Sequence, residues 1–177
     1  SITGGPHFRL RGDVSLQDLS RPQDAFVFGN LSNLYADPEG VAFFVRNLSK
    51  NYESVPPILQ RLGTISFHGE VSGYFTDIVT YGLIYTDIGS IKTDLKISSD
   101  KEKGYFAYSG AVKTEELELG NMLDNEKLGK VTFNLDIEGS HYENQYPSIV
   151  MKGLIASIDY SDYNYENITL DGEYKQG

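Results

Sequence analysis

The chain has 177 residues, 40 % hydrophobic and 23 % charged, which suits a single unit with one well-buried core. Its formal charge of -10 and pI near 4.7 argue against nucleic acid as a partner, because affinity for phosphate backbones is made largely by Lys and Arg. Cysteine is absent, which excludes disulfides, thiolate metal sites and thiol nucleophiles, and no apolar run reaches the roughly 18 residues of a membrane-spanning helix.

In chain order, the recurring signal is period two, the mark of strands with one buried face. A specific version of it, with alternate apolar positions interrupted by glycine, opens the chain as Phe8-Leu10-Gly12-Val14. Pro56 to Leu62 reads as a short helix, with prolines at its first turn and Gly63 at a left-handed cap. The glycine pattern returns as Ile65-Phe67-Gly69-Val71, and Ser90 to Ser98 alternates Ile91, Leu95 and Ile97 with Lys92, Asp94 and Lys96. Asp100 to Lys103 reads as a charged hairpin loop, followed by Phe106-Tyr108-Gly110-Val112 and a short helical turn over Glu118 to Leu123. Lys130 to Glu138 alternates Val131, Phe133, Leu135 and Ile137 with polar residues, His141 to Pro147 reads as a connection, and two last glycine copies follow, Ile149-Met151-Gly153-Ile155 and Ile168-Leu170-Gly172-Tyr174. In every copy the glycine shares the apolar face, where a missing side chain lets a backbone or a ligand approach closely. Helix is expected to be confined to short turns.

No constellation for catalysis or metal binding stands out. His7, His68 and His141 have no paired ligand spacing and read as surface or strand-edge residues. Asp159, Asp162, Asn164 and Glu166 crowd a tyrosine-rich stretch without the glycine and terminal glutamate of a calcium loop, and Glu115, Glu116 and Glu118 read as a solvated acidic face. Ser109-Gly110 lacks the elbow glycine of a hydrolase nucleophile, and no phosphate-cradling glycine loop is present. The expectation is a non-enzymatic protein without a cofactor.

Several stretches carry a resemblance. Leu62-Gly63-Thr64-Ile65-Ser66-Phe67-His68-Gly69, Gly73-Tyr74-Phe75-Thr76-Asp77, Tyr85-Thr86-Asp87-Ile88-Gly89-Ser90-Ile91, Leu117-Glu118-Leu119-Gly120-Asn121-Met122-Leu123 and the closing Tyr163 to Gly172 resemble, in content and order, the AsmA-like and TamB-like (translocation and assembly module) envelope proteins, notably the long Bacteroidetes type. The resemblance covers roughly residues 56 to 177. It implies a protein anchored in the inner membrane that crosses the periplasm as a long β-structure. It also implies a hydrophobic groove that carries phospholipid to the outer membrane, or assists protein assembly and secretion there with a BamA-like partner. Neither the anchoring helix nor the partner-binding end is recognisable in this sequence, so the chain is expected to be an internal piece, one β domain over 1–177 whose strands continue at both ends and whose edges could self-associate.

On that reading the fold is mainly β, either a curved antiparallel sheet forming an open groove (β-taco-like) or a two-sheet sandwich. The groove-facing candidates for phospholipid or another acyl-chain ligand are Ile65, Phe67, Val71, Ile91, Leu95, Ile97, Val131, Phe133, Leu135 and Ile137. The alternative is an extracytoplasmic β-sandwich interaction module that binds glycan or protein through tyrosines such as Tyr160, Tyr163 and Tyr165.

Overall fold

A computed structural model describes residues 2–4, 6–18, 25–48, 57–74, 76–100, 104–142 and 148–175. Ten strands follow one another in the order of the sequence: β1 Ile2–Gly4, β2 Phe8–Gln17, β3 Phe26–Ala36, β4 Ile65–Tyr74, β5 Asp77–Thr86, β6 Gly89–Asp100, β7 Tyr105–Glu118, β8 Leu128–Tyr142, β9 Ser148–Tyr160 and β10 Tyr163–Lys175. Each pairs antiparallel with its neighbours in one sheet, an uninterrupted meander with β1 at one edge and β10 at the other. The sheet is single, curved and unclosed, so the open form is the one adopted and not the two-sheet sandwich.

Three of the five glycine copies contribute to the curvature. Gly12, Gly110 and Gly153 have φ of +150°, +138° and +144°, a backbone region that only glycine occupies readily, and each bends its strand. Register shifts between Arg11 and Gly12, Leu31 and Leu34, Thr114 and Leu117, and Thr132 and Phe133 mark bulges that add to the bend. The turn between β9 and β10 has both central residues, Ser161 and Asp162, at positive φ, as a two-residue hairpin with the twist of its strands requires.

The helices gather at one end of the sheet. α1 (Pro38–Leu48) follows β3, α2 (Pro57–Arg61) precedes β4, and α3 (Leu119–Leu123) links β7 to β8. α2 and α3 are where the sequence places short turns, and Gly63 has the expected left-handed φ of +68°. α1 is a correction, because the sequence reading expects only short turns. Its start is written in Asp37-Pro38-Glu39: the Asp37 carboxylate accepts a hydrogen bond from the Gly40 N–H at 2.9 Å, and Pro38 occupies the first turn. β8 also runs to Tyr142, through the start of the expected connection; 101–103 and 143–147 lie outside the described residues.

At this helical end Ile88, Leu117 and Val131 form a small closed core, against which Leu62 and the α3 residues Leu119 and Met122 pack. Backbone bonds tie it together: the Asp87 N–H donates to the Leu62 carbonyl at 3.0 Å and the Glu118 N–H to the Ile88 carbonyl at 2.9 Å. Elsewhere the inner face has no second layer among the described residues.

Two glycine substitutions separate curvature from mere composition. A methyl group at Gly110 would need φ of +138° and would collide with the Asp94 carbonyl, whereas one at Gly172 meets nothing within 4 Å. Gly110→Ala is expected to cost about 1–3 kcal/mol, and Gly172→Ala less than about 0.5 kcal/mol. Urea unfolding of the two variants beside the parent checks this; equal losses would remove the link between glycine and strand bending.

Candidate functional site

Directly paired residues of neighbouring strands share a face, so the register shows which side chains meet. One row runs Leu10, Leu34, Phe67, Ile84, Ile91, Thr114, Phe133, Ile155, Ile168, crossing the sheet from β2 to β10. The next row carries Thr93, Val112 and Leu135 between glycines 69, 82 and 153, and a third carries Val71, Leu95, Ile137 and Met151 with Gly110. Ile97 falls in a fourth row with Ile78 and Tyr108, while Ile65 pairs with Ala36 and Val131 with Leu117 and Ile158. All ten groove-facing candidates therefore lie on one face of the sheet.

Their roles differ. Val131 is only 2 % exposed, within the closed core at the helical end, and Ile91 and Phe133 pack against that core. Phe67 is 7 % exposed because its ring lies over two glycines of adjacent strands: a Cβ at Gly69 would stand 2.9 Å from its Cζ, and one at Gly82 would stand 2.8 Å from its Cε2. Tyr108 covers Gly139 in the same manner, and burial pushes its phenol above the ordinary value of 10.0. Val71, Leu95, Ile97 and Ile137 stay partly open and form the accessible floor. Thr93 and Thr114 are nearly fully buried on this face, their hydroxyls donating to the carbonyls of Gly82 at 3.3 Å and Ser90 at 2.6 Å, so they add no unsatisfied polar group to it. Small residues this deeply buried on an uncovered sheet mean that the sheet curls around them.

Inner-face residues of β5, Ile78, Thr80 and Ile84, belong to the same surface but escape the sequence reading, because β5 carries apolar residues at both odd and even positions and shows no alternation. The tyrosines of the alternative reading, Tyr160, Tyr163 and Tyr165, stand on this inner face too, at the rim formed by β9 and β10, and are well exposed. The inner face is an open surface. A depression of about 300 Å³ lies instead on the outer face toward the opposite end, lined by polar residues including Lys96, Ser98, Ser109 and Glu138 and by the Tyr105–Tyr142 ring pair.

No group of acidic, histidine or cysteine side chains able to hold a metal ion occurs among the described residues. Asp159 is occupied locally, accepting from the Asn164 amide at 2.7 Å and the Lys130 N–H at 3.3 Å. Among these residues no helix is long and apolar enough to cross a membrane. Comparison with family models, curated proteins and solved structures returns no match.

His7 is the exception to histidines that stand alone. Its Nδ1 lies 2.8 Å from Asp37 and its Nε2 3.1 Å from Glu39, so both ring nitrogens can donate to carboxylates only when the imidazole is protonated. The Asp37 hydrogen bond holds the His7 pKa above its ordinary 6.5, and the Gly40 N–H, with His7, holds Asp37 below its ordinary 3.8. The His7 contribution to stability is complete below pH 6.5 and disappears as pH rises through its higher folded value; the Asp37 contribution is complete above pH 3.8 and disappears as pH falls through its lower one. Thermal melts of the parent and His7→Gln should therefore differ most in mildly acidic buffer, with the gap closing toward alkaline pH. A gap that is constant across that range would show that His7 acts only through packing.

Proposed function

We propose that this chain is a segment of a hydrophobic trough that holds the acyl chains of phospholipid, within an AsmA-like or TamB-like protein that bridges the periplasm. The observation that carries the reading is the inner face itself. Apolar residues from nine consecutive strands, β2 to β10, line one side of a single sheet whose middle no second layer covers among the described residues. An uncovered apolar surface of this extent suits a ligand that is itself apolar, at about 0.8 kcal/mol for each methylene removed from water. The nine strands give the rows a contour of roughly 38 Å at the usual strand spacing, long enough for an acyl chain lying across the strands. Such carriage needs no catalytic group, cofactor or metal. Assembly of outer-membrane or secreted proteins with a BamA-like partner is the other role the resemblance implies, and that partner would meet regions outside this chain.

The glycan- or protein-binding module is less well supported, because its tyrosines sit on the rim of the apolar face and not on an exterior patch.

Native mass spectrometry of the purified chain should show co-purified phospholipid, and a fluorescent fatty acid should bind the lipid-stripped protein. Leu95→Asp and Ile137→Asp test the floor directly, because both side chains are partly open and a carboxylate there can stay hydrated while the fold survives. Each should weaken acyl binding at least about tenfold, or about 1.4 kcal/mol, with an unchanged far-ultraviolet circular dichroism spectrum. A parent protein that binds no acyl chain and carries no lipid would overturn the trough.

A further inference from the structure

The outer face is polar on most strands, but not on β5. Val79, Tyr81, Leu83 and Tyr85 all project outward there, and Phe28 of β3 and Tyr74 of β4 stand beside them; the six are between 37 % and 51 % exposed. A strand apolar on both faces ordinarily has both faces covered.

The flanks of this ridge indicate what covers it. In register, Tyr81 stands between Glu70 of β4 and Asp94 of β6, and Leu83 stands between His68 and Lys92. The Lys92 ammonium also lies 5.6 Å from the centre of the Tyr81 ring, and His68 meets the Tyr85 ring edge to face at 5.4 Å. A two-fold axis crossing β5 between Tyr81 and Leu83, at right angles to the strand, exchanges these two rows. Asp94 then faces Lys92 of the second copy, Glu70 faces His68, Tyr81 lies on Leu83, and Val79 lies on Tyr85. Every charged position of the two rows meets its opposite or a hydrogen-bond donor, which is the self-complementarity a two-fold interface requires.

The protein carries a formal charge of -10, yet in the four rows from Val79 to Tyr85 the outward residues of β4, β5 and β6 hold two carboxylates (Glu70, Asp94) against two ammonium groups (Lys92, Lys96). Like-charge repulsion that opposes self-association elsewhere is nearly absent here. Strands β3 to β6 over this length present a face of roughly 20 by 30 Å, whose side-chain surface is of the order of the roughly 800 Å² that each partner buries in a standard interface.

We infer that the outer faces of β4, β5 and β6 form a two-fold interface between two copies of this chain, packed back to back with the Asp94 and Lys92 pairs across it. Both inner faces stay open in this arrangement, so it is independent of whether the trough carries lipid.

Sedimentation equilibrium of the full chain, diluted from about 1 mM to about 1 μM, tests it with charge reversal. The parent should pass from dimer to monomer. Asp94→Lys and Lys92→Glu should each weaken the dimer about tenfold or more, since each places like charges face to face. Combining both substitutions should restore the parent affinity, and thermal melts should show all three variants folded. A strictly monomeric parent overturns the inference. So does a dimer indifferent to both reversals, which would be paired through the β10 edge, and so does a monomer that binds phospholipid vesicles through Tyr81 and Leu83.

Discussion

Everything in this structure turns on how one sheet shields an apolar face that, among the described residues, no second layer covers across most of its extent. Desolvation of apolar side chains is the main force available to the fold, and a flat sheet with nothing packed on it would leave that force largely unused. The chain responds by placing large side chains over glycines. Phe67 covers Gly69 of its own strand and Gly82 of the next, Tyr108 covers Gly139, and Leu135 approaches Gly153. Glycines at positive φ and bulges then bend the strands, so that neighbouring side chains shield one another.

The shielding is graded along the sheet. At the helical end Ile88, Leu117 and Val131, packed against by Leu62 and α3, form a closed core, and Val71, Leu95, Ile97 and Ile137 beyond it remain partly open. Shielding also weakens toward the edges, where Val14 and Leu16 lie on the part of β2 that β1, paired only with Phe8 to Leu10, does not reach, and Tyr163 lies on the edge strand β10; all three are exposed. One end is thus anchored while the middle stays partly open. The same logic accounts for the two kinds of residue among the groove candidates: Val131 and Phe67 hold the wall together, and Leu95 and Ile137 are the places where a ligand could touch it.

The outer surface obeys the opposite requirement. Acidic and polar side chains dominate it, except along β5, where aromatic and aliphatic side chains face outward between Glu70, Asp94, His68 and Lys92. The two faces therefore differ in kind: the inner one is apolar across nine strands, and the outer one is polar except along β5.

Much of this was legible in the residues. Alternation in Ser90–Ser98 and Lys130–Glu138 announced strands with one apolar face, and ten candidates read from such patterns do share a face, because pleating sends every second side chain the same way. Three of the five glycine copies, Gly12, Gly110 and Gly153, fall where the backbone takes a positive φ, and the prolines before Ile58 with Gly63 after Leu62 mark a short helix. α1 was hidden because Val41, Phe43, Phe44 and Val45 suit a strand as well as a helix, leaving only Asp37-Pro38-Glu39 to announce it. β5 showed no period because both of its faces are apolar. The sequence alone determined a β protein with one apolar face, since periodicity is a local property of the chain. Whether that face closed against a second sheet, which candidates became wall and which floor, and that His7 would meet Asp37 and Glu39 were decided only by tertiary structure, because these depend on register and on contacts between residues far apart in sequence.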